Sequence, residues 1–225
     1  MIRSLWIFII ACVLVCLPRP SYAMKRSLPV IVAAIQYAAP GMSKTTATSY
    51  AKLIRKEAID RRFDPFTMVA MVYYESHWNP TLENHIGCVG LGQVCPQFLW
   101  PYCNSGGEKW DQFRCKQKKA ELKNGFYNLK LIAQSITANR KFCRKKVGIA
   151  NWRHWLPSHG GYNSSSKGIW CGRKRIKGRW RNVAIPKTVS RIMVYRKKLI
   201  RKFARGQRKA VKRKAKRGSL KRKRR

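Results

Sequence analysis

Acidic residues are scarce in this chain: eight Asp and Glu among 225 residues face 50 Lys and Arg, a formal net charge of +42. All eight acids lie between Glu57 and Glu121, and from Leu122 to Arg225 there is none against 35 Lys and Arg. So one-sided a field must sit near polyanions or be diluted by salt. Histidine is equally sparse: His77, His85, His154 and His159 form no metal-binding or nucleophile set. No C-x-x-C pair and no Cys/His cluster at ligand spacing exists, which removes zinc, and no metal or other cofactor is expected. Zinc-finger and RNA-binding aromatic signatures are missing too, so nucleic acid is not expected as the physiological partner. Long apolar runs are also lacking. Leu5 to Leu17 is short for a transmembrane helix and is followed by Pro18 and Pro20.

That short run reads instead as the centre of an export signal over residues 1–23. Arg3 supplies its positive end and Ser21-Tyr22-Ala23 its small-x-small cleavage site. Cys16 follows Val15 rather than a small residue, which argues against a lipid anchor. Met24-Lys25-Arg26 is the alternative start, with its own apolar run from Val30 to Ala39. Six cysteines remain beyond the signal: Cys88, Cys95, Cys103, Cys115, Cys143 and Cys171. An even number in an exported chain predicts disulfides, with fifteen pairings open. Closure between Cys103 and Cys115 is plausible on spacing. The expected location is the periplasm or the extracellular space.

The chain is organised around residues 64–97, DPFTMVAMVYYESHWNPTLENHIGCVGLGQVCPQ. Asp64-Pro65 is an N-cap acceptor followed by the residue best suited to the first helical position. Phe66 to Tyr74 is almost wholly apolar, as in a buried core helix. At its far end stands one carboxylate, Glu75, before Asn79-Pro80 ends the helix. Apolar walls and the negative end of the helix dipole both disfavour a charged carboxylate, the condition for a proton donor at neutral pH. The glycine-rich stretch Gly87 to Gln93 then suits a loop that lets backbone approach a ligand.

Around this centre the expected elements are helical. Residues 27–40 form a short apolar lead, helix or strand-like. A helix over 49–62, capped by Thr46 or Thr48, places Tyr50, Leu53, Ile54 and Ala58 on one face and pairs tightly with the central helix. Residues 96–114 read as loop, with Trp100 and Trp110 either stacking on a ligand ring or packing locally. One helix is expected over 116–140, with Phe126, Leu129, Ala133 and Ile136 on one face, and a short one over 149–156. From Lys187 to Phe203 a helix sets Ile192, Tyr195, Leu199 and Phe203 against a basic side, either to dock on the domain or to lie on a membrane. Beyond Ala204 the apolar pattern ends in KAVKRKAKRGSLKRKRR, too polar to order itself. The resulting division is a signal over 1–23, a lead over 24–44, a main domain over 45–186, a basic helix over 187–205 and a polybasic tail over 206–225.

The pattern E-S-x-x-N-P at Glu75 to Pro80, then G-x-x-G-L-x-Q at Gly87 to Gln93, then Gly161-Tyr162-Asn163-Ser164, resembles the soluble lytic transglycosylase family, relatives of goose-type lysozyme. The resemblance covers about residues 50–165 and holds order and spacing. It implies a mainly α, lysozyme-like domain with a disulfide-pinned loop region, extended here by a basic C-terminal helix and tail. It also implies cleavage of the MurNAc–GlcNAc β-1,4 bond of peptidoglycan strands by a monomer, leaving 1,6-anhydro-muramoyl ends. Carried over by residue, Glu75 is the acid and base. Ser76, Asn79, Asn84, Gln93, Tyr162 and Asn163 shape the site or hold substrate. Asn84 replaces a usual Ser, Gly92 a frequent Met that would open the cleft floor, and Cys95 a second Met. Glu121 and Asn128 replace an Asn and a Tyr in a weaker match at Glu121-Leu122-x-x-Gly125-x-x-Asn128-Leu129, and Glu121 is the reserve second carboxylate. Hydrolytic muramidase action is the nearest alternative, and cationic nucleic-acid or membrane binding the alternative of another class. The tail itself suits anionic polymers of the cell envelope through its charge.

Overall fold

The computed structural model describes residues 26–147, 171, 173–182 and 187–204; the signal segment, residues 149–156 and the polybasic tail lie outside them. The described chain is mainly helical, with three disulfides and one two-stranded hairpin.

The lead segment is a helix, α1 (Leu28–Ala38), whose Ile31, Ala34 and Ile35 are fully buried. Helix α2 (Lys44–Asp60) begins earlier than expected because Ser43 is its cap, its hydroxyl accepting from the Thr46 amide at 3.1 Å. Thr48, an expected cap, instead lies inside the first turns and donates its hydroxyl to the Lys44 carbonyl at 2.7 Å. Tyr50, Ile54 and Ala58 face inward as their spacing predicts.

Helix α3 (Pro65–Ser76) is the central buried rod. Asp64 caps it, accepting from the Phe66 amide at 3.1 Å, and Phe66 and Met68 to Val72 are fully buried. A helix apolar on all sides needs cover on all sides. Helices α1, α2 and α7 (Lys187–Leu199) supply it. The tight α2–α3 pair expected from the sequence is therefore the weaker association: α2 lies chiefly against α1, and α3 chiefly against α7. The helix ends before Asn79-Pro80, because His77 takes a left-handed conformation at φ 50° and Trp78 follows at φ 67°.

The stretch read as loop contains a short helix, α4 (Pro96–Leu99), and a 3-10 turn at Pro101–Cys103. The single helix expected over 116–140 is two helices, α5 (Gln112–Leu122) and α6 (Gly125–Val147). Asn124 makes the break: its Oδ1 accepts from the amides of Phe126 and Tyr127 at 3.0 and 3.1 Å and restarts the helix. Gly125 admits the Tyr50 hydroxyl where any Cβ would collide with it. The faces hold as expected for Leu129, Ala133 and Ile136, whereas Phe126 is partly exposed and edges onto Tyr50 at 5.1 Å.

Strands β1 (Arg173–Ile176) and β2 (Arg179–Asn182) pair antiparallel from Arg173 opposite Asn182 to Ile176 opposite Arg179. Lys177 and Gly178, at φ 47° and 76°, form the two-residue turn that hairpins favour. The segments RKRI and RWRN carry no alternation of apolar and polar residues, so the period of a strand is not visible in them.

Helix α7, continued by a π turn at Ile200–Ala204, docks on the domain through Val189, Ile192, Tyr195 and Leu199. Its buried Arg196 reaches the α3 cap: Nη2 donates to Asp64 Oδ2 at 2.8 Å and Nε to the Thr67 hydroxyl at 2.9 Å. Arg26 grips the same carboxylate from the other side, Nε to Oδ1 at 2.8 Å and Nη2 to Oδ2 at 3.0 Å, while lying 4.0 Å over the Phe66 ring. Lead, core helices and C-terminal helix thus share one hydrophobic cluster. No helix among the described residues is long and apolar enough to cross a membrane.

Candidate functional site

Glu75 occupies the last turn of α3 and is half-buried, directly after the aromatic pair Tyr73 and Tyr74, whose rings meet edge to face at 5.1 Å. The next residue, Ser76, is buried. Its hydroxyl donates to the Leu91 carbonyl at 2.9 Å, with the Val72 carbonyl 3.3 Å away. This bond ties the carboxylate-bearing end of the helix to the middle of the glycine-rich loop, fifteen residues on. Of the residues singled out from the sequence, Glu75, Ser76 and the loop carrying Gln93 are therefore brought together.

The loop is held by its own polar groups. Asn79, exposed, folds the chain after the helix by accepting from the Thr81 amide and hydroxyl, both at 2.9 Å. Asn84 accepts from the amides of Ile86 and Cys88, both at 3.0 Å, and so closes the turn that carries Gly87 at φ 78°. Val89 and Val94 exchange backbone hydrogen bonds at 2.9 and 3.0 Å, and the Cys88–Cys95 disulfide pins the same turn. Gln93, itself at φ 47°, donates Nε2 to the Leu82 and Gly90 carbonyls at 3.0 and 3.1 Å. The amide nitrogen of Gln93 is thus spent on shaping the loop.

Gly92 departs from the sequence expectation. It does not open the cleft floor, because a Cβ at this position would collide with Ile132 of α6, which already fills the space. The residue the sequence undervalued is Asn128, fully buried on α6. Its Oδ1 accepts from the Gly92 amide at 2.8 Å, and its Nδ2 donates to the Val89 and Leu122 carbonyls, both at 2.9 Å. One amide therefore satisfies three backbone groups and sets the glycine loop on α6. The available signal was its place on the inward face, four residues before Ile132, where a polar side chain must find partners inside.

Most of the other carboxylates are in ion pairs among the described residues. Glu83 meets Lys119 at 2.6 Å, and Glu121, the reserve second acid, is exposed and meets Lys118 at 2.7 Å. Glu57 pairs with Arg61, Asp60 with Lys56, Asp111 with Arg114, and Asp64 with two arginines. Six of the other seven acids are thus held by Lys or Arg among the described residues, and the seventh, Glu108, is exposed. No group of three or more His, Cys, Asp or Glu there could hold a metal ion.

An aromatic row adjoins the Glu75 end of α3. His77 lies against Tyr73 with ring centroids 4.9 Å apart, Tyr73 stacks on Tyr195 of α7 at 4.2 Å, and Tyr195 stacks on Tyr37 of α1 at 6.5 Å. Burial, helped by its tyrosine neighbours, pushes the Tyr195 phenol well above the usual range, whereas hydrogen bonding to the Lys198 ammonium pulls the half-buried Tyr37 phenol down. Among the expected aromatics, Trp100 is half-buried with Lys118 Nζ 5.7 Å from its ring, and Trp110 is exposed. Trp78 is buried against Tyr50, its Nε1 without an acceptor among the described residues. His85 is exposed.

Tyr162 and Asn163, like His154 and His159, lie outside the described residues. The disulfides pair Cys88 with Cys95, Cys103 with Cys115, and Cys143 with Cys171, one of the fifteen pairings open to the sequence and including the 103–115 closure. The last holds the chain on the two sides of residues 148–170 together, with Cα atoms 5.3 Å apart. No protein-family model, curated protein or solved structure matches the chain.

Proposed function

We propose that this chain is an exported peptidoglycan lytic transglycosylase with a lysozyme-like helical domain, and that Glu75 is its single acid and base. The observation that carries this reading is the bond from the Ser76 hydroxyl to the Leu91 carbonyl, which joins the end of an apolar helix bearing one carboxylate to a glycine-rich loop. Glu75 lies half-buried at the end of that apolar helix, the setting that a single acid and base needs. The three disulfides and the leader-like first 23 residues support export.

In this mechanism the Glu75 carboxyl gives its proton to the glycosidic oxygen between MurNAc and GlcNAc as that bond breaks. The substrate's N-acetyl carbonyl oxygen closes on the anomeric carbon and shares the developing positive charge. The Glu75 carboxylate then takes the proton of the muramic 6-hydroxyl, whose oxygen displaces the acetamido oxygen and forms the 1,6-anhydro ring. No water is consumed. Gln93 and Asn84 shape the loop beneath the sugar, and Tyr162 and Asn163 orient it.

Digestion of purified peptidoglycan followed by mass spectrometry tests reaction and substrate together. Anhydro-muropeptides are expected. Reducing ends alone would make the protein a hydrolytic muramidase, and an undigested polymer would remove the enzyme reading.

A further inference from the structure

A shallow groove of about 600 Å³ lies between α1 and α7, lined by Tyr37, Val194, Lys197, Lys198, Arg201 and Lys202. Its four cations fall at i, i+1, i+4 and i+5 and so share one side of the helical segment. None forms an ion pair with an acid among the described residues, and no Asp or Glu occurs in the chain after Glu121. Their geometry is organised rather than splayed. Lys202 Nζ stands 3.9 Å from the centre of the Tyr37 ring, and Lys198 Nζ 5.4 Å from it and 6.0 Å from that of Tyr195. Lysines held over tyrosine faces have lost part of the side-chain freedom that an anion would otherwise have to freeze out. Val194 gives the groove an apolar patch beside the charges and is 65% exposed.

The wall of the groove packs through the buried Tyr195 toward the end of α3 that carries Glu75. Three ring contacts lead from His77, two residues beyond Glu75, through Tyr73 and Tyr195 to Tyr37 at the groove wall. We infer that the α1–α7 groove is a subsite for the carboxylate-bearing peptide stems of peptidoglycan, receiving a stem whose sugar lies at Glu75. The inference rests on the transglycosylase reading for its substrate, and it assigns to the folded domain a stem-binding surface distinct from the polybasic tail. Tyr37 and Val194 contact the aliphatic part of the stem, and the four cations pair with its carboxylates.

The test uses the full chain and two fourfold charge-neutralised variants. One carries K197Q, K198Q, R201Q and K202Q in the groove; the other carries K52Q, R55Q, K116Q and K123Q, exposed positions elsewhere with the same loss of charge. Co-sedimentation is measured at about 50 mM salt, where exposed charges are weakly screened. The two ligands are bead-bound glycan strands that keep their stems, the intact material, and the same bead-bound strands stripped of their stems by an amidase. The groove variant should lose about tenfold in affinity for intact material, as several exposed ion pairs together allow, and less than about twofold for stripped material. The control variant should show no such split. If the groove variant misfolds by its melting curve, K198Q/K202Q should show the same split at smaller size. Equal losses in groove and control variants, or equal losses on both materials, would each overturn the subsite. If the split is present but the wild type releases no anhydro ends, the enzyme reading falls and the stem-binding surface stands.

Discussion

The Asn128 side chain on α6 accepts a 2.8 Å hydrogen bond from the Gly92 amide in the glycine loop, and through its Nδ2 also holds the Val89 and Leu122 carbonyls. All of this takes place at full burial. Replacing Asn128 by Leu keeps the volume and removes three partners at once. Each stranded backbone group costs about 1–3 kcal/mol, so N128L should lose at least roughly 3 kcal/mol in urea unfolding. The glycine loop should also exchange its amide protons faster than α3. A loss under about 1 kcal/mol would mean that the amide is not what seats the loop.

Removing the Glu75 proton donor separates chemistry from folding. Glu75→Gln should cut peptidoglycan turnover by about 10²–10⁴-fold, the usual contribution of a general acid. All three disulfides and cooperative unfolding should be retained. Near-wild-type turnover would move the catalytic role to another residue.

Asp64 is shared by Arg26 and Arg196, side chains from the two ends of the described chain, and both arginines are buried. Asp64→Ala strips the α3 cap and leaves two guanidiniums buried without their carboxylate. A broken buried pair costs about 3–5 kcal/mol, so this should be the most destabilising single change at a charged residue. Arg26→Ala should cost less, because Asp64 keeps Arg196. Chemical denaturation of the two variants side by side checks the order; a larger loss in R26A than in D64A would contradict it.

Alkaline stability should report on Tyr195. Burial among Tyr73, Tyr37 and Tyr74 raises its phenol above the unfolded value of about 10. The folded state then binds this proton more tightly than the unfolded state. Its stabilisation is complete below about pH 10 and is lost as pH rises from there toward the folded value. Melting curves between about pH 9 and 12 should fall more steeply for the wild type than for Tyr195→Phe, which has no phenol proton to lose. Parallel curves would show that the raised phenol has no weight in stability.

Local chemistry was legible wherever a few adjacent residues decide the outcome. Asp64-Pro65 announces the start of α3, and its uninterrupted apolar run announces burial. The inward faces of α2 and α7 follow from spacing alone. Boundaries were less legible where side chains compete for the same backbone. Ser43 rather than Thr46 or Thr48 caps α2, and Asn124 divides a helix whose apolar period continues across the break. The apolar period reports which face is inward and is blind to a local capping bond.

What the amino-acid order determined unaided is the mainly helical class, the single carboxylate at the end of an apolar helix, the even cysteine set and the field of cations after Glu121. These are properties of composition and near neighbours. The tertiary structure alone decided which cysteines pair, that Asn128 carries the glycine loop, that Arg26 and Arg196 meet on Asp64, and that Tyr37 and Tyr195 join the basic helix to the end of α3. Each of these joins residues far apart in the chain. Their proximity is set by how the helices cover one buried rod, and no spacing along the chain encodes that.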